Sequence, residues 1–200
     1  MSMSTPLVHT ATGTAVVERA RRVQLACFDI DGTLTDGRLR FDSEGRETKA
    51  FHVHDGLGLV MLRKVGIEVA FITARASTIV ERRGAELGLS EVHTAVSDKL
   101  ATVRAIATRL GIGLDAVSFM GDDLPDLGAM QQVGFAVAPA SAHVWIRERA
   151  HWVTSARAGE GAGRELCDLL LHAHGKVDAL IDAAALEQAD PTARITGHNA

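Results

Sequence analysis

The 200-residue chain is short of cysteine, of aromatic side chains and of net charge, and each shortage excludes something. Its two cysteines, Cys27 and Cys167, stand alone in apolar segments. That spacing gives neither a disulfide framework nor a zinc site, and both read as buried thiols. Aromatics are limited to two Trp and six Phe. A net charge of −4 provides no basic patch for nucleic acid. No apolar run approaches the roughly 18 residues that a membrane helix requires. Residues 1–14 are polar and lack the apolar core of a signal peptide, so a cytoplasmic location is expected. Nine histidines include the spaced pairs His52/His54 and His172/His174, but no accompanying Cys or acidic pattern gives zinc spacing. His52 and His54 either line a substrate entrance or belong to an exposed polar strand face.

What is present is a core-forming composition, 46% apolar, enough for one domain. Strands are expected at 23–29, 38–42, 48–53, 68–72, 92–95, 117–120, 134–137 and 151–154. Helices are expected at 56–65, 77–87, 99–110, 125–131, 142–148 and 163–173, with a further surface helix from 178 to 189 and a disordered last ten residues. This alternation predicts an α/β fold, a doubly wound parallel sheet with its site at the carboxyl ends of the strands. Residues 38–53 read as a small protruding β-hairpin. Residues 15–22 are expected to add a helix outside the core.

The chemistry-bearing residues all fall at strand ends. Asp29-Ile30-Asp31-Gly32-Thr33 follows the first apolar run directly. Two carboxylates two residues apart project to one side and repel unless a cation or a shared proton relieves them. Oxygen-only ligands of this kind suit Mg²⁺, which keeps waters and binds through one or two carboxylates plus substrate phosphate. Asp29 can then attack phosphorus, while Asp31 protonates the leaving alcohol and later activates water. Thr73-Ala74-Arg75 ends the strand 68–72 with a hydroxyl and a cation for phosphoryl oxygens. Lys99 opens a helix and supplies a point charge for Asp29 and the transferring group. Gly121-Asp122-Asp123-Leu124-Pro125-Asp126 ends the strand 117–120 in a turn full of carboxylates. Asp122 is the metal ligand of choice. Asp123 either completes the metal shell or orients Lys99, and Asp126 caps the helix that Pro125 begins.

The order DxDGT, Thr, Lys, GDDxxD resembles the haloacid dehalogenase superfamily of aspartate-nucleophile phosphatases. The resemblance implies Asp29 as nucleophile and metal ligand, Asp31 as acid/base with its backbone carbonyl on Mg²⁺, and Thr73 and Lys99 as phosphate binders. Asp122 follows as metal ligand and Asp123 as an assisting ligand. Gly32, Thr33 and Ala74 fall within the same phosphate-binding segments. Spacing leaves no room for a cap domain, so a lone subunit would be open to water. The hairpin's Leu39, Phe41, Phe51 and Val53 would be buried by copies of itself, and a homotetramer is expected.

A narrower likeness covers residues 23–178. The segments TDGRL, EGRETKAFHVHDGLG, ITAR, SDKL, GDDLPDL and GAGRELCDLLLHAHGKV are similar to the 3-deoxy-D-manno-octulosonate 8-phosphate phosphatase family. This implies a capless, Mg²⁺-dependent tetramer acting on an eight-carbon 2-keto sugar acid phosphate on the path to lipopolysaccharide. It further implies that Asp55, Gly56 and Arg75 border the sugar, with Gly161, Gly163 and Arg164 near the entrance. Where that family commonly reads GGRGAVRE, Glu160 replaces a basic residue, with Arg157 three positions earlier. Residues 1–22 are an N-terminal extension on this reading, and 179–200 a C-terminal tail. Two alternatives stand beside it: a phosphatase for a nine-carbon 2-keto acid 9-phosphate, and a non-catalytic oligomerisation scaffold.

Overall fold

Strand residues that are apolar without alternation can be buried on both faces, and that requires helices on both sides of a parallel sheet. The computed structural model describes residues 13–189 and has this arrangement. The last ten residues and most of the N-terminal leader lie outside the described part. A six-stranded sheet runs in the order β5-β4-β1-β6-β7-β8, every pair parallel. Its strands are β1 (Leu25–Phe28), β4 (Glu68–Ile72), β5 (Glu91–His93), β6 (Val117–Met120), β7 (Phe135–Ala138) and β8 (Trp152–Val153). The central strand β1 places Phe28 between Phe71 and Met120.

Successive residues of each strand feed opposite faces. Ala26, Phe28, Val69 and Phe71 pack toward α1 (Thr14–Ala20), α2 (Val53–Lys64), α3 (Thr78–Glu86) and α7 (Ala162–Ala173). Leu25, Cys27, Ala70 and Ile72 pack toward α4 (Lys99–Leu110), α5 (Leu124–Met130) and α6 (Val144–Arg147). Each fully buried Leu, Ile or Phe here contributes about 1.5–3 kcal/mol. Helices α2 and α7 approach closely at Gly58, where a Cβ would lie 2.9 Å from the Cys167 Cβ. Both cysteines are buried and free. A last helix, α8 (Val177–Ala189), follows α7 in the expected place.

Two local expectations are corrected. Helix α1 is not outside the core: Ala20 is fully buried, and Val16 and Val17 pack against the same cluster as α7. The hairpin is shorter than read, with two-residue strands β2 (Arg40–Phe41) and β3 (Glu47–Thr48). Its turn is held by Asp42, which accepts from the main-chain N–H groups of Glu44 and Arg46 and from the Arg46 side chain. The chain then becomes helical at Val53, with Asp55 in the first turn where a carboxylate complements the helix dipole. Alternating Phe51 and Val53 mimicked a strand. Phe51 instead packs beneath Arg83, and Val53 is an exposed first helical residue.

Candidate active site

The carboxyl ends of β1, β4 and β6 meet at one edge, and the Asp29 loop, the Thr73 loop and the Asp122 turn emerge there together. Asp29 continues β1, its N–H donating to the Met120 carbonyl at 2.9 Å. The residue is 5% exposed. Lys99, the first residue of α4, is 6% exposed and places its Nζ 2.5 Å from Asp29 Oδ1 and 2.5 Å from Asp126 Oδ1. The helix that carries Lys99 is started by Asp98, whose side chain accepts from the Ala101 N–H.

Asp123 and Asp126 exchange the roles read from sequence. Asp123 is exposed and is the N-cap of α5, accepting from the Leu124 N–H at 2.8 Å in a capping box with Asp126. It neither orients Lys99 nor joins the carboxylate cluster. Asp126 is 2% exposed and does the orienting. Its second oxygen accepts from the main-chain N–H groups of Asp122 and Asp123. The turn has the same carboxylate at the cap and at the third helical position, so spacing alone could not assign them.

Carboxylate oxygens of Asp29, Asp122 and Asp126 lie within 4.8 Å of one another. One ammonium faces three carboxylates. Burial, and then the Asp126 charge, push Asp29 up to about 8 and Asp122 up to about 7. Burial alone would lower Lys99, but Asp29 and Asp126 outweigh it and hold it above its ordinary value. This excess of negative charge on hard oxygen donors fits a divalent cation. Because Asp126 already accepts from Lys99 and two main-chain groups, Asp29 and Asp122 are the carboxylates available to a metal. Gly32 preserves the space beside them: its φ is +95°, and a Cβ there would lie 2.2 Å from Asp122 Oδ2.

Thr33 is fully buried and donates its hydroxyl to Asp122 Oδ1 at 3.3 Å, so its side chain orients a candidate metal ligand instead of meeting substrate. Thr73 is buried at the end of β4, with Oγ1 accepting from the Arg75 N–H at 3.3 Å. Ala74 and Arg75 are exposed on the rim. Arg75 reaches back toward Asp31, with Nε 3.6 Å from Oδ2. Asp31 also receives Lys49 from the hairpin, a contact that sequence reading missed because a single lysine in a short ribbon carries no motif.

The segments expected to border the sugar are differently employed. Asp55 is buried, and its Oδ1 accepts from the Arg164 N–H at 2.7 Å, tying the start of α7 to α2. Burial raises its carboxyl above the ordinary range. Gly56 is buried against Arg83, and the Arg164 guanidinium pairs with Asp168 at 2.6 Å. Gly163 is buried against Leu34 and Asp55. Asp55, Gly163 and the Arg164 N–H thus meet at the α2/α7 joint, where buried polar groups must find partners, while Gly56 lets α2 lie against Arg83 of α3. Gly159 packs on the Asp29 loop, its N–H donating to the Thr33 carbonyl at 3.3 Å, where a Cβ would lie 2.6 Å from the Asp36 nitrogen.

A family model described as haloacid dehalogenase-like hydrolase matches residues 79–166. The 3-deoxy-D-manno-octulosonate 8-phosphate phosphatase KdsC of Escherichia coli strain K12 is 42% identical over 163 residues, covering 82% of this chain and 87% of that protein. This chain belongs to the 3-deoxy-D-manno-octulosonate 8-phosphate phosphatase family of haloacid dehalogenase-like hydrolases. Among solved structures, a Xanthomonas campestris protein is 53% identical with a TM-score of 0.86, covering 91% of this chain and 98% of its own. The family's phosphatase from Moraxella catarrhalis, crystallised with magnesium ion, phosphate ion and KDO, is 40% identical. Its TM-score is 0.82, over 84% of this chain and 97% of that one. In this member of the family, Asp29, Asp122, Thr73 and Lys99 stand together at the carboxyl ends of the central strands.

Proposed function

We propose that this chain hydrolyses 3-deoxy-D-manno-octulosonate 8-phosphate to the free sugar acid and phosphate, with Mg²⁺ and through an aspartyl-phosphate on Asp29, as a cytoplasmic homotetramer on the path to lipopolysaccharide. The observation that carries this reading is the buried Asp29, held by Lys99 and facing Asp122 at the open ends of the central strands. Asp29, Asp122 and the Asp31 carbonyl would hold Mg²⁺, which supplies charge neutralisation for a transferring phosphoryl group. Lys99 presents Asp29 and offsets phosphoryl charge, and the Thr73 hydroxyl holds a phosphoryl oxygen. Asp31 gives a proton to the departing alcohol and then takes one from water. Arg75, on the rim, faces the sugar acid.

The tetramer reading rests on the hairpin, which exposes Leu39 and Phe41, the latter 59% exposed on a ribbon too small to be stable alone. Sedimentation at micromolar concentration is expected to give a four-chain species, and a monomer there would remove that part of the proposal. The substrate is tested by specificity constants for phosphate release across the octulosonate 8-phosphate, a nine-carbon 9-phosphate and simple sugar phosphates. A preference of about a hundredfold, close to 3 kcal/mol, is expected for the octulosonate. A shifted preference would transfer the reading to another sugar acid.

A further inference from the structure

The catalytic loop does not itself hold the Asp31 carboxylate. The hairpin does. Its residue Lys49 has a side chain only 2% exposed, and its Nζ donates to Asp31 Oδ1. The same Nζ lies 3.3 Å from Glu47 Oε1. That glutamate oxygen also accepts from Arg75 Nη2 at 3.0 Å, while Arg75 Nε lies 3.6 Å from Asp31 Oδ2. Two carboxylates and two cations therefore alternate around a closed ring, each charge next to opposite ones. Within it the two Asp31 oxygens are unequal. Oδ1 is engaged by Lys49, and Oδ2 is buried with no hydrogen-bond partner. A buried polar atom without a partner is costly unless it is used.

We propose that Lys49, aimed by Glu47, is a positioning residue: it fixes the Asp31 carboxyl so that Oδ2 is the oxygen that carries and delivers the proton. The inference rests on Asp31 being the acid/base of the phosphatase reading above. In the first step an Asp29 oxygen bonds to phosphorus, and the bond from phosphorus to the sugar oxygen breaks with its electron pair on that oxygen. The proton leaves Asp31 Oδ2 for the same oxygen. Asp31 is then a carboxylate, and Lys49 and Arg75 stand where they neutralise it. The hairpin, which supplies Glu47 and Lys49 to the ring, thereby reaches into the chemistry as well as outward.

A hairpin strut and a proton-positioning residue differ in how they depend on the leaving group. An alkyl alcohol needs its proton as it departs, and a nitrophenolate does not. The experiment compares kcat/KM, which covers events up to alcohol departure, for the octulosonate 8-phosphate and for para-nitrophenyl phosphate, in wild type, Lys49→Met, Lys49→Arg and Glu47→Gln. Lys49→Met is expected to lose about 100-fold on the sugar phosphate and less than about fivefold on the aryl phosphate, within the usual range for a misplaced general acid. Lys49→Arg should recover about tenfold of the first loss by restoring a donor. If Lys49→Met does not fold, as its circular dichroism would report, Glu47→Gln should show the same split at smaller size. Equal losses on both substrates, or a loss confined to KM, would overturn the proposal and leave Lys49 a strut. Wild-type enzyme inactive on both substrates would overturn the phosphatase reading first, and this inference with it.

Discussion

Lys99→Met removes the one ammonium shared by Asp29 and Asp126 while keeping a flexible aliphatic side chain in its place. The lysine is 6% exposed and 2.5 Å from each carboxylate. Solvent therefore does little to screen the loss. Removing one partner of a buried pair typically costs about 3–5 kcal/mol. For a chain of this size that lowers Tm by on the order of 10 °C. The phosphoryl group also loses a charge that its transition state uses, so kcat should fall about 10²–10³-fold. Melting is measured in EDTA, since a cation would partly replace the ammonium, and phosphate release is measured with Mg²⁺. The double variant Lys99→Met/Asp126→Asn is expected to recover part of the Tm and none of the activity, because it relieves the repulsion without restoring the cation. A single variant with wild-type Tm and activity within tenfold would refute the reasoning, and so would recovered activity in the double variant.

Gly32→Ala places a Cβ 2.2 Å from Asp122 Oδ2 at a φ of +95°. It should weaken Mg²⁺ binding and activity by about tenfold or more, a strain of 1–3 kcal/mol; calorimetric titration with unchanged Mg²⁺ affinity would contradict the assignment of Asp122. Asp29 and Asp122 have folded values raised to about 8 and about 7, burial being the first cause and Asp126 the next. Raised carboxylates contribute stability that is present below their ordinary values near 4 and is lost as pH rises through 7 to 8. Mg²⁺ should therefore raise Tm more at pH 8 than at pH 5.5, and an equal shift at both by thermal melting would be against it. Asp55→Ala frees the Arg164 N–H at the α2/α7 joint. It should cost about 1–3 kcal/mol of stability, a few degrees of Tm, with KM unchanged; a large rise in KM in steady-state assays would return Asp55 to the substrate.

The sheet and the clustering of the candidate site residues were legible because the same residues encode both. A buried parallel strand reads as a continuous apolar run, and its carboxyl end is where a glycine turn and carboxylates stand out, at Asp29 as at Asp122. Lys99 was legible only as part of that order. Roles that depend on side-chain direction were not. Asp123 and Asp126 are chemically identical candidates three residues apart, and only the handedness of the α5 turn sends one outward to cap and the other inward to Lys99. Lys49 escaped because the alternating pattern around it reads equally well as a two-faced ribbon, whereas the short hairpin lets it turn inward to Asp31. Asp55 and Arg164 are 109 residues apart, and their meeting depends on the packing of α2 on α7, which no local pattern contains.

The most direct test of the central claim is chemical trapping on Asp29 in the variant Asp31→Asn. With para-nitrophenyl phosphate the leaving group departs without a general acid, and the phosphorylated enzyme then lacks the base that activates water. Rapid acid quench followed by peptide mapping should find phosphate on the peptide containing Asp29, approaching one per chain. Turnover of the aryl phosphate with no trapped phosphate, or phosphate trapped at another residue, would contradict Asp29 as the nucleophile.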